Sequence, residues 1–216
     1  MSEWEPTDIS PKETQTGSGA AEPNADGRAA SIRREVWEWL KALLVAFGLV
    51  FVVRTYLFAP FLVSGHSMLP NFHDGERLIV NKIIYDLRIP KRGEVIVFLA
   101  PDGRDYIKRV IGLPGDRVYV RGDTVYVNGK PLDEPYLREA VERAHAEGRL
   151  YNIQDMDEIV VREGTLFVLG DNRSNSSDSR SQKVGLVPMD KVIGRAELVF
   201  WPPSHIKWVG GAGNAT

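Results

Sequence analysis

Hydropathy along this chain falls into three regimes. Residues 1–30 are polar and rich in Gly, Ser, Pro, Ala and acids. They lack the apolar periodicity of a core, which predicts a disordered tail. Residues 42–53, ALLVAFGLVFVV, form an unbroken apolar run. Beyond Pro60 come short stretches rich in Val, Ile, Tyr and Phe: RLIVNKIIY, GEVIVFLA, YIKRVIGL, DRVYV, TVYVNG, TLFVL and AELVFW. Gly, Pro, Asp and Asn separate them, the pattern of β-strands and turns. Asn128-Gly129 and Arg121-Gly122-Asp123 read as hairpin turns. In YLREAVERAHAEG, Leu137, Ala140, Val141 and Ala144 share one helical face and Gly148 can end the helix. The expected fold is mainly β, with a small helical insertion over residues 136–150.

The apolar run has three competing readings: a cleaved signal peptide, a buried core helix and a membrane anchor. Its start about 40 residues into the chain weighs against the first. Residues 39–58 give about 20 residues, enough to cross a ~30 Å hydrocarbon core. Lys41 and Arg54 near the ends can snorkel to headgroups. Trp37 and Trp39 suit one interface and Tyr56 the other, and Pro60 is a natural stop. Arg28, Arg33, Arg34 and Lys41 precede the run, while residues 55–76 hold no Lys or Arg. The positive-inside rule then puts the tail in the cytoplasm and the rest outside. The expected division is a cytoplasmic tail over 1–36, a single transmembrane anchor over 37–58 and an extracytoplasmic catalytic β domain over 59–216.

A chain of 216 residues, 43% hydrophobic, has room for one domain with appendages. The net charge of −2 and the lack of a basic stripe argue against a nucleic-acid partner. With no cysteine, a disulfide scaffold, a thiol nucleophile and thiolate metal sites are excluded.

The first candidate for chemistry is SGHSMLPNF, residues 64–72. Gly65 permits tight backbone geometry before Ser67, and Pro70 fixes the turn after it. A serine needs a base to become nucleophilic near neutral pH. His66 is adjacent, but neighbouring side chains of an extended segment point to opposite faces. The same objection meets His73 beside Asp74. His145 lies on the predicted helix and His205 in a Pro-rich tail, so nothing marks a Ser-His-Asp triad. In DYIKRVIGLPGD, Lys108 lies among Tyr106, Ile107, Val110 and Ile111. A strand lysine is usually a solvated edge charge, and it becomes a base only when burial lowers its pKa. The third segment, GDNRSNSSDSR over residues 170–180, reads either as a surface loop or as an ion-pair lock built from Asp171, Arg173, Asp178 and Arg180.

SGHSMLP, KRVIGLPGD and GDNRSNSSDSR, in this order behind an apolar anchor, resemble the three signatures of type I signal peptidases, in the single-anchor form of Gram-positive bacteria. GERLIVNK, residues 75–82, fits the strand after the nucleophile. The resemblance implies a β-sheet, barrel-like catalytic fold. It implies Ser67 as nucleophile, Lys108 as general base and Ser176 as the hydroxyl that orients the lysine. It also implies structural ion pairs of Asp178 and Arg180, with Asp171 and Arg173 in the same network. Phe61, Val63, Met68, Tyr106 and Ile107 fall on segments implied to line or adjoin the substrate cleft. The oxyanion would be held by the Ser67 backbone N–H, and some members add a serine hydroxyl two places earlier, where this chain has Gly65. The implied reaction removes signal peptides from secretory preproteins after A-x-A sites, at the bilayer, by a monomer without metal or cofactor. The rivals are a self-cleaving Ser–Lys repressor, for which residues 1–36 show no DNA-binding domain, a peptidase dedicated to one substrate, and an anchored β domain that binds partners without catalysis.

Overall fold

In the computed structural model, residues 25–53 and 57–209 are described. The chain divides into two units at Gly48. Helix α1 runs Ala25–Val52. It starts inside the stretch 1–36 expected to be unstructured, because Ala, Arg and Glu around Arg28–Glu35 favour helix without needing a core. Residues 1–24 of the expected tail lie outside the described residues. From Trp37 to Phe51 the large apolar side chains of α1 are exposed. No helix among the described residues is long and apolar enough to cross a membrane. Glu35, Glu38 and Lys41 lie at or just before the apolar run of α1, the helix stops at Val52, and residues 54–56 of the expected span lie outside the described residues.

The second unit is mainly β. Its strands are β1 (Phe58–Leu62), β2 (Arg77–Asn81), β3 (Val95–Leu99), β4 (Asp105–Gly112), β5 (Arg117–Arg121), β6 (Thr124–Val127), β7 (Lys130–Pro131), β8 (Met156–Val160), β9 (Thr165–Leu169), β10 (Val187–Pro188), β11 (Val192–Trp201) and β12 (Lys207–Trp208). The short helix α2 (Ile84–Leu87) follows β2, and α3 (Arg138–Ala146) precedes β8. Among the described residues one sheet runs β1-β2-β11-β3-β4-β9-β10, with β12 on β11, and a second runs β7-β6-β5-β8. All the pairings are antiparallel.

The seven predicted stretches correspond to β2, β3, β4, β5, β6, β9 and β11. RLIVNKIIY is a strand only to Asn81, whose side-chain oxygen accepts the Ile84 N–H at 3.2 Å and turns the chain into α2. Both hairpins form, with Val127 opposite Lys130 and Arg121 opposite Thr124. Asn128 has φ 54°, as a type I′ turn requires. β1 begins at Phe58, the last residue of the expected anchor, and continues past it. β8 (MDEIV) escapes the hydropathy pattern because its polar centre, Asp157 and Glu158, breaks the apolar run and is exposed.

Two features position the site. β11 lies between β2 and β3, so the last long strand joins two early parts of the chain. Below the β1–β2 connection, Val63, Met68, Phe72, Leu78, Val80, Val97 and Val199 form one apolar cluster. Met68 and Phe72 are buried, each contributing about 1.5–3 kcal/mol by burial. The connection is therefore nailed to the sheet by its own side chains.

Candidate active site

The chain already turns at Ser67, where the sequence suggested an extended stretch with the turn following at Pro70. The Leu69 N–H donates to the His66 carbonyl at 3.2 Å and the Phe72 N–H to the Met68 carbonyl at 2.9 Å. The face-alternation argument against His66 therefore does not apply, yet the His66 side chain is exposed and Lys108 is the partner of the Ser67 hydroxyl. From the loop after β9, the Asn172 backbone N–H donates to the Ser67 carbonyl and its side-chain amide to the His66 carbonyl, both at 3.0 Å. The loop approaches so closely at Gly170 that a Cβ there would lie 2.4 Å from the Ser67 carbonyl oxygen and 2.2 Å from Ser176 Oγ. Only glycine fits.

Lys108 lies in the middle of β4, opposite Ile96 of β3. Its side chain crosses 41 positions of sequence to put Nζ 2.8 Å from Ser67 Oγ. Nζ also donates to its neighbour's carbonyl, Ile107, at 2.8 Å. The residue is 3% exposed. Burial lowers its pKa to about 8, against the opposing pull of Asp178 and Asp171. This is not the solvated edge charge of a typical strand lysine.

The charges of residues 170–180 do not all pair with one another. Asp178 and Arg180 do, with Nε–Oδ1 at 2.9 Å and Nη2–Oδ2 at 2.8 Å, both side chains buried. Burial alone would raise the Asp178 carboxyl, but the Arg180 guanidinium and the Gly170 N–H hold it below its ordinary value. Asp171 instead takes a bidentate grip from Arg109 of β4, at 2.8 and 2.6 Å. It also accepts the Asn71 amide at 2.8 Å, which links it to the turn that carries Ser67. Arg173 pairs with Glu134, in the segment leading to α3. Removing one partner of a buried pair costs about 3–5 kcal/mol, so the Arg109–Asp171 pair holds the loop firmly against β4 and the Arg173–Glu134 pair ties it to the segment before α3.

Ser176 does not make the contact expected of it. Its Oγ is buried and makes no hydrogen bond to Lys108, whose Nζ donates to Ser67 and Ile107; the hydroxyl instead faces Asp178 and helps hold that carboxyl below its ordinary value. It lies beside Gly170 at the crowded meeting of the two loops.

Ser67 and Lys108 open into a cleft of about 410 Å³. Phe61, Val63, Tyr106 and Ile107 line it, as do Leu78 and Val97. Met68 is not on its wall but packs beneath the turn. Arg109, Asn71, Asn172 and Glu134 were missed by the sequence reading. For Arg109 a signal existed, since a guanidinium inside an apolar strand needs a buried acid. Chemically the arrangement offers a serine hydroxyl in hydrogen-bond contact with a buried amine, beside a cleft of mixed lining in which Phe61, Val63, Leu78, Val97 and Ile107 meet polar groups such as Arg104 and Asn175.

A family model described as signal peptidase, peptidase S26, matches residues 36–201. A signal peptidase I of Bacillus licheniformis is 41% identical over 184 residues, 83% of this chain and 96% of that protein. A signal peptidase IB of Staphylococcus aureus (strain MRSA252) is 39% identical over 186 residues, 82% of this chain and 95% of that protein. A signal peptidase I of known structure from Enterococcus faecalis V583 is 40% identical, covering 49% of this chain and 95% of that one, with a TM-score of 0.44.

Proposed function

From the premise that this chain belongs to the signal peptidase family, peptidase S26, we propose that it cuts signal peptides from preproteins with Ser67 as nucleophile and Lys108 as general base. The observation that carries this reading is the 2.8 Å separation of Nζ and Oγ in a buried setting. The neutral amine takes the proton from the Ser67 hydroxyl as Oγ attacks the scissile carbonyl. The oxyanion forms against the Ser67 backbone N–H. Lys108 then hands its proton to the departing amine, leaving an acyl-enzyme. A water deprotonated by the same amine attacks the ester and frees Ser67. The lowered pKa matters in magnitude. At pH 7 roughly a tenth of an amine with pKa about 8 is neutral, against roughly one in three thousand at pKa 10.5.

Asp171, Asp178, Arg173 and Arg180 act by position, fixing the loop that grips the nucleophile turn. The substrate lies extended in the trough of Phe61, Val63, Tyr106 and Ile107, with small side chains before the cut, as in A-x-A sites. β9 pairs only with the Arg109–Gly112 part of β4, so the outer part of β4 keeps one edge for pairing with a peptide. An incubation of the detergent-solubilised protein with a purified preprotein, followed by sequencing of the new N-terminus, tests the activity. Cleavage after A-x-A is expected. The rate kcat/KM should rise with pH through about 8, because only the deprotonated amine is a base. A profile centred near the ~6.5 of free histidine would defeat the assignment.

The apolar run of α1 supports anchoring in a bilayer, with residues before it on the cytoplasmic side and Ser67 outside. Leu40, Leu43, Leu44, Val45, Phe47, Leu49, Val50 and Phe51 are all exposed and point to every side of the helix. The anchor confines enzyme and substrate to one plane and raises their effective concentration. The protein should remain in sedimented membranes after alkaline extraction, and a variant lacking residues 37–58 should not. Release of the intact chain would refute anchoring without touching the chemistry.

A further inference from the structure

Three groups that the peptidase reading leaves unused come together at the far end of the nucleophile connection. His73, Glu76 and His205 each bring a ligand atom, and these atoms lie within 4.8 Å of one another. A tight turn puts the first two on one side, with the Glu76 N–H donating to the His73 carbonyl at 3.2 Å. Gly75 occupies the third position of that turn at φ 84°, as a type II turn demands. His205 arrives from the short helix Pro203–His205 between β11 and β12. Its Nδ1 is 2.7 Å from Glu76 Oε1, and His73 Nδ1 is 3.4 Å from the same oxygen. The two imidazole rings have centroids 5.2 Å apart.

The carboxylate is the telling part. Glu76 is 1% exposed, and its second oxygen, Oε2, has no hydrogen-bond partner among the described residues. A buried, half-satisfied carboxylate is costly. The neighbouring charges are engaged elsewhere: Lys207 donates to the Asn71 carbonyl, and Asp74 accepts the Gly65 N–H at 2.7 Å. The two histidine side chains are about half exposed, so the cluster has a buried carboxyl base and an open side.

We propose that His73, Glu76 and His205 bind a divalent cation of the zinc class. Two imidazole nitrogens and one carboxylate oxygen, with a fourth position left to water, suit zinc or cobalt better than calcium or magnesium, which take oxygen ligands. Donors about 2.1 Å from a tetrahedral ion stand about 3.4 Å from each other. His73 and Glu76 already have that spacing. His205 needs to withdraw by ~0.7 Å, within reach of a half-exposed imidazole rotating about its own bonds. The bound ion would fasten the segment that follows the nucleophile turn to the C-terminal end of the β domain. It is structural, not a participant at Ser67.

The test uses the full chain in detergent, without a polyhistidine tag and stripped with a chelator. Cobalt(II) should bind one per chain with the visible bands of a four- or five-coordinate ion, and zinc should displace it. At 100 times its dissociation constant, zinc should raise the thermal midpoint by about 5–10 °C. His205→Ala and His73→Ala should each weaken binding by roughly 100-fold or more, since loss of a ligand exceeds loss of a supporting contact. The absence of those bands would overturn the proposal. So would equal cobalt affinity in the wild type and His205→Ala, which would place the ion at His66 or at His145 with Asp123. A thermal midpoint that responds to pH and not to zinc would overturn it too, leaving a plain His–Glu link.

Discussion

Lys108→Arg is expected to lose signal-peptide cleavage by about 10³-fold or more while keeping the fold. Charge and donor capacity survive this substitution, but a guanidinium does not deprotonate in proteins. The variant thus separates the two things Lys108 supplies, a positive group near Asp171 and Asp178 and a base for Ser67. If the lysine served only to balance those carboxylates, arginine would be tolerated. If it serves as the base, nothing in the cleft replaces it, because the nearest histidine, His66, is exposed and Ser67 Oγ is turned to Nζ. The measurement is kcat/KM on a purified preprotein, alongside urea denaturation to verify that the midpoint is unchanged. An active variant would hand the role to a histidine.

Ser67→Ala should abolish turnover more completely still, by about 10⁴-fold or more, the scale seen when a serine nucleophile is deleted. The change removes one hydroxyl whose partner keeps a second acceptor in the Ile107 carbonyl, so the denaturation midpoint should move little. A serine-directed acylating probe should label the wild type at residue 67 and leave the variant unlabelled. Retained cleavage would refute the nucleophile assignment outright, and retained labelling elsewhere would reveal another reactive serine.

Much of this was legible in the chain. β3, β4, β5, β6 and β9 announce themselves because each carries consecutive or alternating Val, Ile, Phe or Tyr between turn residues. β8 is silent because an edge strand with Asp157 and Glu158 exposed has no reason to be apolar. Helix α1 begins before the apolar run for a related reason: helix propensity is a local property and does not need the hydrophobic run that marks an anchor. At the site, residue types singled out Ser67 and Lys108, which the fold brings to 2.8 Å of each other, but the pairing of the charges could not be read. Asp171 and Arg173 look like partners at two positions' distance. In three dimensions each is claimed by a buried charge from elsewhere, Arg109 and Glu134. Ion pairs are chosen by which side chains burial brings together, and a sequence does not display that. Ser176 shows the same limit, since its hydroxyl lies by the site without bonding to the amine.

The sheet order has a consequence for when the enzyme can begin to work. Ser67 precedes β2 and Lys108 belongs to β4, and the strand that joins their two halves of the sheet, β11, ends at Trp201. Until β11 slots between β2 and β3, the serine and the lysine belong to separate hairpins with no shared edge. Closing so long a loop is a slow, entropically expensive event. On the proposed mechanism, a nascent chain carries both Ser67 and Lys108 well before they can meet, and cleavage waits for the arrival of its own late strand.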